Sequence, residues 1–256
     1  MTGEVLLDVA DRVARVTLNR PAAGNAIDLP TARALVDIAK QCQSDDTIGC
    51  VVLTGTGRIF CAGGDLATLT QAGDRIDEVL AELAGILHDA VIRFATMAKP
   101  MVVLVNGPAA GAGLSLALAG DVVLCTHSAH FTAAYGKLGL TPDGGMSWLL
   151  PRLVGMRRAQ EIILTDRRIL AEEAAHIGMV TRLVAAEGLL DSGMEVARAL
   201  CKSSGVAIQG ARALLGSSFQ NALPEQLDAE ARTIVAVSRS DLAKRRMAAM
   251  SARQNS

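Results

Sequence analysis

The stretch PMVVLVNGPAAGAGLSLALAG, residues 100–120, carries no charge and is long enough to cross a bilayer. Asn106-Gly107-Pro108 in its middle and two further glycines, Gly111 and Gly113, break any single spanning helix. Met101–Val105 instead reads as a short strand apolar at every position, the pattern of a strand buried on both faces. A turn follows, then a small-residue helix over 111–119. Strand, turn and helix in this order point to an α/β protein.

Working outward, the N-terminus reads as a hairpin: Glu4–Val9, a turn at Ala10-Asp11-Arg12, then Val13–Leu18. Asn19-Arg20-Pro21 ends the second strand. A helix begins near Pro30 and runs through Cys42, and a strand over Cys50–Thr54 stops at Gly55-Thr56-Gly57. Ile76, Val79, Leu80, Leu83, Leu87 and Val91 recur at helical spacing, which predicts a long amphipathic helix. A strand over 121–125 and an extended piece around Phe131 follow. Beyond Pro151, helices are expected over 156–165, 171–177, 187–203, 205–216 and 224–252, with one strand near Met179–Val184. The pattern is an α/β core carrying a helical module.

The 256 residues are half apolar with a net charge of −1, enough for one large core and without the basic footprint of a nucleic-acid binder. Aromatic residues make up 2%, too few for base-stacking platforms. Cys42, Cys50, Cys61, Cys125 and Cys201 are scattered and form no CxxC pair, so they read as buried thiols of a reducing, cytoplasmic protein. Met1–Leu7 contains Glu4 and no secretory pattern. His127 and His130 lack a third partner, so no metal site is expected. Dinucleotide, P-loop, HExxH and GxSxG motifs are absent.

Phe60-Cys61-Ala62-Gly63-Gly64-Asp65-Leu66 and Asn106–Leu114 both place glycines where a strand gives way to a loop or helix. Free backbone N–H groups at such points can stabilise an oxyanion, although glycines in either segment alone serve equally as tight turns. Asp143 lies in Thr141-Pro142-Asp143-Gly144-Gly145, ahead of a helix-like run. From spacing alone it is expected to cap that helix, with a general base as the alternative.

In their order and spacing these segments resemble the crotonase superfamily, the enoyl-CoA hydratase/isomerase family. The matching pieces are Val16–Pro21 with Asn25-Ala26, then Phe60–Leu66, Lys99-Pro100 and Val105–Gly113, Asp121, Leu138–Gly145, Leu150-Pro151-Arg152 and Ala171–Ala174 with Gly178. The resemblance implies a spiral of ββα units over residues 1–195 and a C-terminal helical trimerisation region over 196–256, assembled as homotrimers or pairs of trimers. It implies an acyl-CoA thioester substrate, a thioester enolate and no cofactor beyond the coenzyme A that the substrate carries. The oxyanion donors map onto the N–H groups of Ala62 and Ala112. The coenzyme A end maps onto Asn25, Ala26 and Ile27 and onto Ala62, Gly63, Gly64, Asp65 and Leu66.

Family hydratases use two glutamates, whose positions here hold Ser115 and Tyr135. Neither offers a carboxylate. Asp143 stands where family isomerases carry a single acidic proton shuttle, and Lys137–Gly145 looks like the ring-epoxide isomerase branch of phenylacetate degradation. The resemblance therefore turns Asp143 from cap to base. A dehalogenase subgroup also has an aspartate there, as a nucleophile with an upstream histidine, for which His88 is the candidate. A hydratase or lyase on the same fold, and a non-catalytic acyl-CoA-binding homologue, are the competing readings. At the far end, Lys244-Arg245-Arg246 reads as a solvated helix face, with coenzyme A phosphates as the alternative.

Overall fold

A computed structural model describes residues 3–254. β1 (Val5–Ala10) and β2 (Val13–Leu18) form the expected hairpin, with Val5 opposite Leu18. Asp11 and Arg12 at its turn both adopt positive φ, 53° and 66°, a pairing that matches the twist of the flanking strands. α1 (Leu29–Ser44) starts where the Asp28 carboxylate accepts the Thr31 N–H at 2.9 Å. Next come β3 (Cys50–Gly55), α2 (Leu66–Gln71) and α3 (Ile76–Thr96).

The uncharged stretch divides into β4 (Met101–Val105), β5 (Ala109–Ala110) and α4 (Ala112–Leu118). Among the described residues no helix is long and apolar enough to cross a membrane. β6 (Val122–Thr126) and β7 (His130–Thr132) precede α5 (Met146–Val154) and α6 (Met156–Thr165). β8 (Ile169–Leu170), α7 (Ala171–His176), β9 (Arg182–Val184) and α8 (Leu189–Lys202) follow. The chain then runs through α9 (Gly205–Ser217), α10 (Leu223–Ser238) and α11 (Asp241–Gln254).

The larger sheet has the order β1-β2-β3-β4-β6-β9 and is parallel from β2 onward. A smaller sheet, β5-β7-β8, is prolonged by single bridges from Ala109 to Cys61 and from Gly64 to Ile27. Successive units thus give one strand to the large sheet, a short extended piece to the small layer, and then a helix. This repetition is the spiral of ββα units with a C-terminal helical region.

Helices cover both faces of the large sheet. Val51, Val103 and Val105 face the cluster shared with α1, α3 and α4. Val52, Val102 and Leu104 face Leu189 and Ala197 of α8. That double cover is why Met101–Val105 is apolar throughout. It also corrects the expected boundary after residue 195, which falls inside α8. A Cβ at Gly193 would come within 2.4 Å of Leu104, so α8 belongs to the core and the helical appendage begins with α9.

The helix expected over 224–252 is two helices. The chain breaks at Arg239-Ser240, and Ser240 Oγ accepts the Ala243 N–H at 3.3 Å to start α11. No residue of α9 or α10 is buried. Arg212 of α9 is the main polar tether to the core. Its guanidinium donates to Asp121 Oδ1 at 2.8 Å, to the carbonyls of Lys99 (2.9 Å) and Ala95 (3.1 Å), and to that of Met97. It thereby satisfies carbonyls left open at the C-terminal end of α3.

Candidate active site

A cavity of about 450 Å³ opens between the small sheet layer and α3. Leu66 and Leu69 of α2 with Leu80, Leu83 and Leu87 of α3 form its apolar wall. Opposite them lie the loop Ala62–Gly64, the start of α4, Tyr135 and Asp143. The loop and α4 are pressed together, since a Cβ at Gly113 would stand 2.3 Å from the Cys61 carbonyl oxygen. Only glycine permits that approach.

Backbone pairing decides which N–H groups on this wall are free. The Ala62 N–H donates to the Gly24 carbonyl at 2.9 Å, which corrects its expected place as an oxyanion donor. Two residues further on, the bridge to Ile27 takes the Gly63 carbonyl (2.8 Å) and the Asp65 N–H (2.9 Å). Because N–H directions alternate along an extended chain, the Gly64 N–H points away from Ile27, toward the side where Ala112 lies. Among the described residues it has no hydrogen-bond acceptor, and neither has the N–H of Ala112, the first residue of α4. Gly64 and Ala112 are therefore unengaged donors that both line the cavity, one from the loop and one from the start of α4.

Asp143 does not cap α5. Gly144 and Gly145, at φ 60° and 86°, turn the chain away before the helix starts at Met146. Its side chain is instead held on the cavity wall. Asp143 Oδ1 accepts the Tyr135 hydroxyl at 2.5 Å, and the Asp143 carbonyl accepts the hydroxyl of buried Ser115 at 2.9 Å. Burial, and then the neighbouring Asp143 carboxylate, push the Tyr135 phenol above its ordinary range, so it stays a donor. His88 of α3 reaches the same point. Its Nε2 accepts the Gly144 N–H at 3.1 Å and stands 3.8 Å from Asp143 Oδ2. In that arrangement Nε2 carries a lone pair and gives Oδ2 no proton.

Of the residues expected at a coenzyme A end, Ile27, Ala62, Gly63, Gly64 and Leu66 line the cavity. Asn25, Ala26 and Asp65 lie behind it. Asn25 has φ 56° and spends its amide on the Arg20 N–H and the carbonyls of Thr56 and Ile59. Asp65 caps α2 through the N–H groups of Ala67 and Thr68 and pairs with Arg20 at 2.9 Å. Its partial burial favours a higher pKa, but Arg20 and the two N–H groups outweigh this and hold the carboxyl below the usual carboxylate range. Arg20 also pairs with Asp28 at 3.0 Å, so one guanidinium ties the start of α1 to the start of α2. Under the loop, burial pushes the Cys61 thiol up to about 12, leaving no thiolate nucleophile there.

Sequence reasoning missed Gly64, the strut made by Arg20 and the contact between Tyr135 and Asp143. The Tyr135 contact had a signal in the eight-residue spacing around the glycines 136, 139 and 144, which can fold the phenol back on the acid. The Gly64 donor had none, because its freedom depends on Ile27, far away in sequence.

The Enoyl-CoA hydratase/isomerase family matches residues 8–254. The chain is 39% identical to the 1,2-epoxyphenylacetyl-CoA isomerase of Escherichia coli (strain K12), over 88% of this chain and 87% of that protein. It is 34% identical to 4-chlorobenzoyl coenzyme A dehalogenase-2 of Arthrobacter sp, over 77% and 71% of the two chains. A crystal structure of an enoyl-CoA hydratase from Polaromonas sp. JS666 superimposes with a TM-score of 0.93 at 30% identity, covering 98% of each chain.

Proposed function

The chain belongs to the enoyl-CoA hydratase/isomerase family, and on that premise we propose that it isomerises acyl-CoA thioesters with Asp143 as a single proton shuttle. The observation that carries this reading is the Asp143 carboxylate in the same cavity as the unengaged N–H groups of Gly64 and Ala112, while the cavity's other acid, Asp166, accepts the Lys137 N–H at 2.8 Å. The thioester carbonyl oxygen lies between the N–H groups of Gly64 and Ala112, replacing Ala62 in the expected pair. Asp143 Oδ2 takes a proton from a carbon activated by that carbonyl. The C–H electron pair moves into the enolate, whose oxyanion the two donors stabilise. The carboxylic acid then returns the proton to a different carbon, and the thioester carbonyl re-forms. Coenzyme A enters over Ile27 and the loop Ala62–Leu66, with Asn25, Ala26 and Asp65 as scaffold rather than contacts.

Two-glutamate hydration lacks its groups here, since Ser115 offers no carboxylate and the Tyr135 phenol is held protonated. The test uses a panel of acyl-CoAs in heavy water, with products read by mass spectrometry and NMR. Asp143→Asn is expected to lose about 10²–10⁴ in turnover while keeping its melting temperature and acyl-CoA binding. Water addition to crotonyl-CoA at a rate untouched by Asp143→Asn would sink the reading.

One observation favours a second reading, with Asp143 as a nucleophile beside a histidine: His88 Nε2 is 3.8 Å from Asp143 Oδ2. Against it, that nitrogen is engaged by Gly144, and Tyr135 withdraws electron density from the carboxylate. Halide release from 4-chlorobenzoyl-CoA separates the two readings.

The same proposal gives the C-terminal helices their purpose. Leu227, Ile234 and Val235 on α10 are 53%, 70% and 53% exposed, an apolar surface suited to trimer formation.

A further inference from the structure

We propose that Tyr135 is a positioning residue that assigns the two oxygens of Asp143 different tasks, reserving Oδ2 for proton transfer and setting how readily the carboxylate protonates. The inference rests on the isomerase reading and adds to it a residue that the family resemblance marks only as the site of a lost glutamate.

The geometry is asymmetric. Oδ1 accepts a 2.5 Å hydrogen bond from a phenol that is itself largely shielded from solvent. Oδ2 accepts nothing among the described residues, although His88 Nε2 is 3.8 Å away. His88 gives no proton to Oδ2 while its nitrogen accepts the Gly144 N–H. Ser115 acts on the backbone of Asp143, through its carbonyl, and leaves both carboxylate oxygens alone. The groups that face or share this space are therefore His88 from α3 and Tyr135 itself, with Lys137, Asp166 and Arg168 lining the same cavity.

A hydrogen bond to a charged acceptor is roughly twice as strong as one to a neutral acceptor. When Oδ2 takes the substrate proton the charge on Asp143 disappears, and the bond from Tyr135 weakens. Tyr135 thus stabilises the resting carboxylate more than the acid formed in the reaction. It also fixes the side-chain rotamer, so that the free oxygen faces the substrate instead of rotating between two equivalent positions. Removing the hydroxyl should make the carboxylate easier to protonate and blur its aim.

The sign follows. Activity requires ionised Asp143, so the acid limb of kcat/KM rises with pH as the carboxylate forms. Tyr135→Phe should move that limb to higher pH and lower kcat about 10- to 100-fold, with KM within a few-fold of the parent. The displacement should persist in a His88→Gln background, which removes the imidazole 3.8 Å from Oδ2. Because the phenyl ring could repack, 3-fluorotyrosine at position 135 provides the second arm. It keeps the size, is a stronger donor, and should move the limb to lower pH. Opposite shifts from the two replacements support the proposal. An acid limb that neither replacement moves, or that both move the same way, overturns it. If Asp143→Asn retains turnover, the isomerase reading itself fails, whereas an inactive Asp143→Asn with an immobile acid limb removes only the role of Tyr135.

Discussion

α4 and α10 are both rich in small and apolar residues, yet every residue of α4 is buried and no residue of α10 is. α4 is wedged between the loop at Cys61 and the large sheet, and its first N–H is a proposed oxyanion donor. α10 packs on α9, and α9 is tied to the core through Arg212. The difference separates two kinds of apolar residue. Those of α4 set distances inside the site, and those of α10 form the exposed surface proposed above for a second copy of the chain.

The comparison breaks most visibly at Gly113. Gly113→Ala places a methyl 2.3 Å from the Cys61 carbonyl oxygen, so the loop that carries Gly64 must move away from α4. Turnover should fall by about 10²–10³, the effect of losing one oxyanion donor, with a stability cost of about 1–3 kcal/mol from overpacking. Near-parental kinetics in Gly113→Ala would show that the two donors do not depend on this contact.

Arg212→Met tests the tether. The side chain is 13% exposed and serves Asp121 and several carbonyls, so its loss should cost about 2–4 kcal/mol in chemical denaturation. Turnover per folded molecule should hold. A cost below about 0.5 kcal/mol would mean that α9 is anchored by packing alone.

The smallest expected effect on the folded chain comes from Ile234→Asp on the exposed face of α10. Stability of the isolated chain should change by no more than about 0.5 kcal/mol. Light scattering should nevertheless report a fall from trimer to monomer mass. A parental chain that is already monomeric at micromolar concentration would remove α10 from the assembly.

Elements with a long period were legible in the sequence. Met101–Val105 and the helix carrying Leu80, Leu83 and Leu87 follow from spacing, and so does the hairpin ending at Leu18. The two-residue strands β5 and β8 left no trace, because alternation needs several residues to show. The break at Arg239-Ser240 was hidden because neither proline nor glycine marks it, although Ser240-Asp241 is a helix-start signal. Spacing alone makes Asp143 a cap and only the family resemblance makes it a base, because the left-handed turns at Gly144 and Gly145, which redirect the chain before α5, are not written in the spacing. Ala62 was misplaced for a different reason. Which N–H stays free depends on Gly24 and Ile27, partners that lie far from residue 62 in sequence and meet it only in the fold.

The leucine wall on α2 and α3 is carried by a different stretch of chain from the groups proposed to handle the proton. Leu66, Leu69, Leu80, Leu83 and Leu87 occupy residues 66–87, whereas Ser115, Tyr135, Asp143 and Gly144 come from the following units. Gly73, at φ 55° with open space around it, stands between the two helices and can absorb changes in their relative tilt. In evolutionary terms, the wall can drift along one segment of chain while the groups proposed to move the proton are left untouched on another.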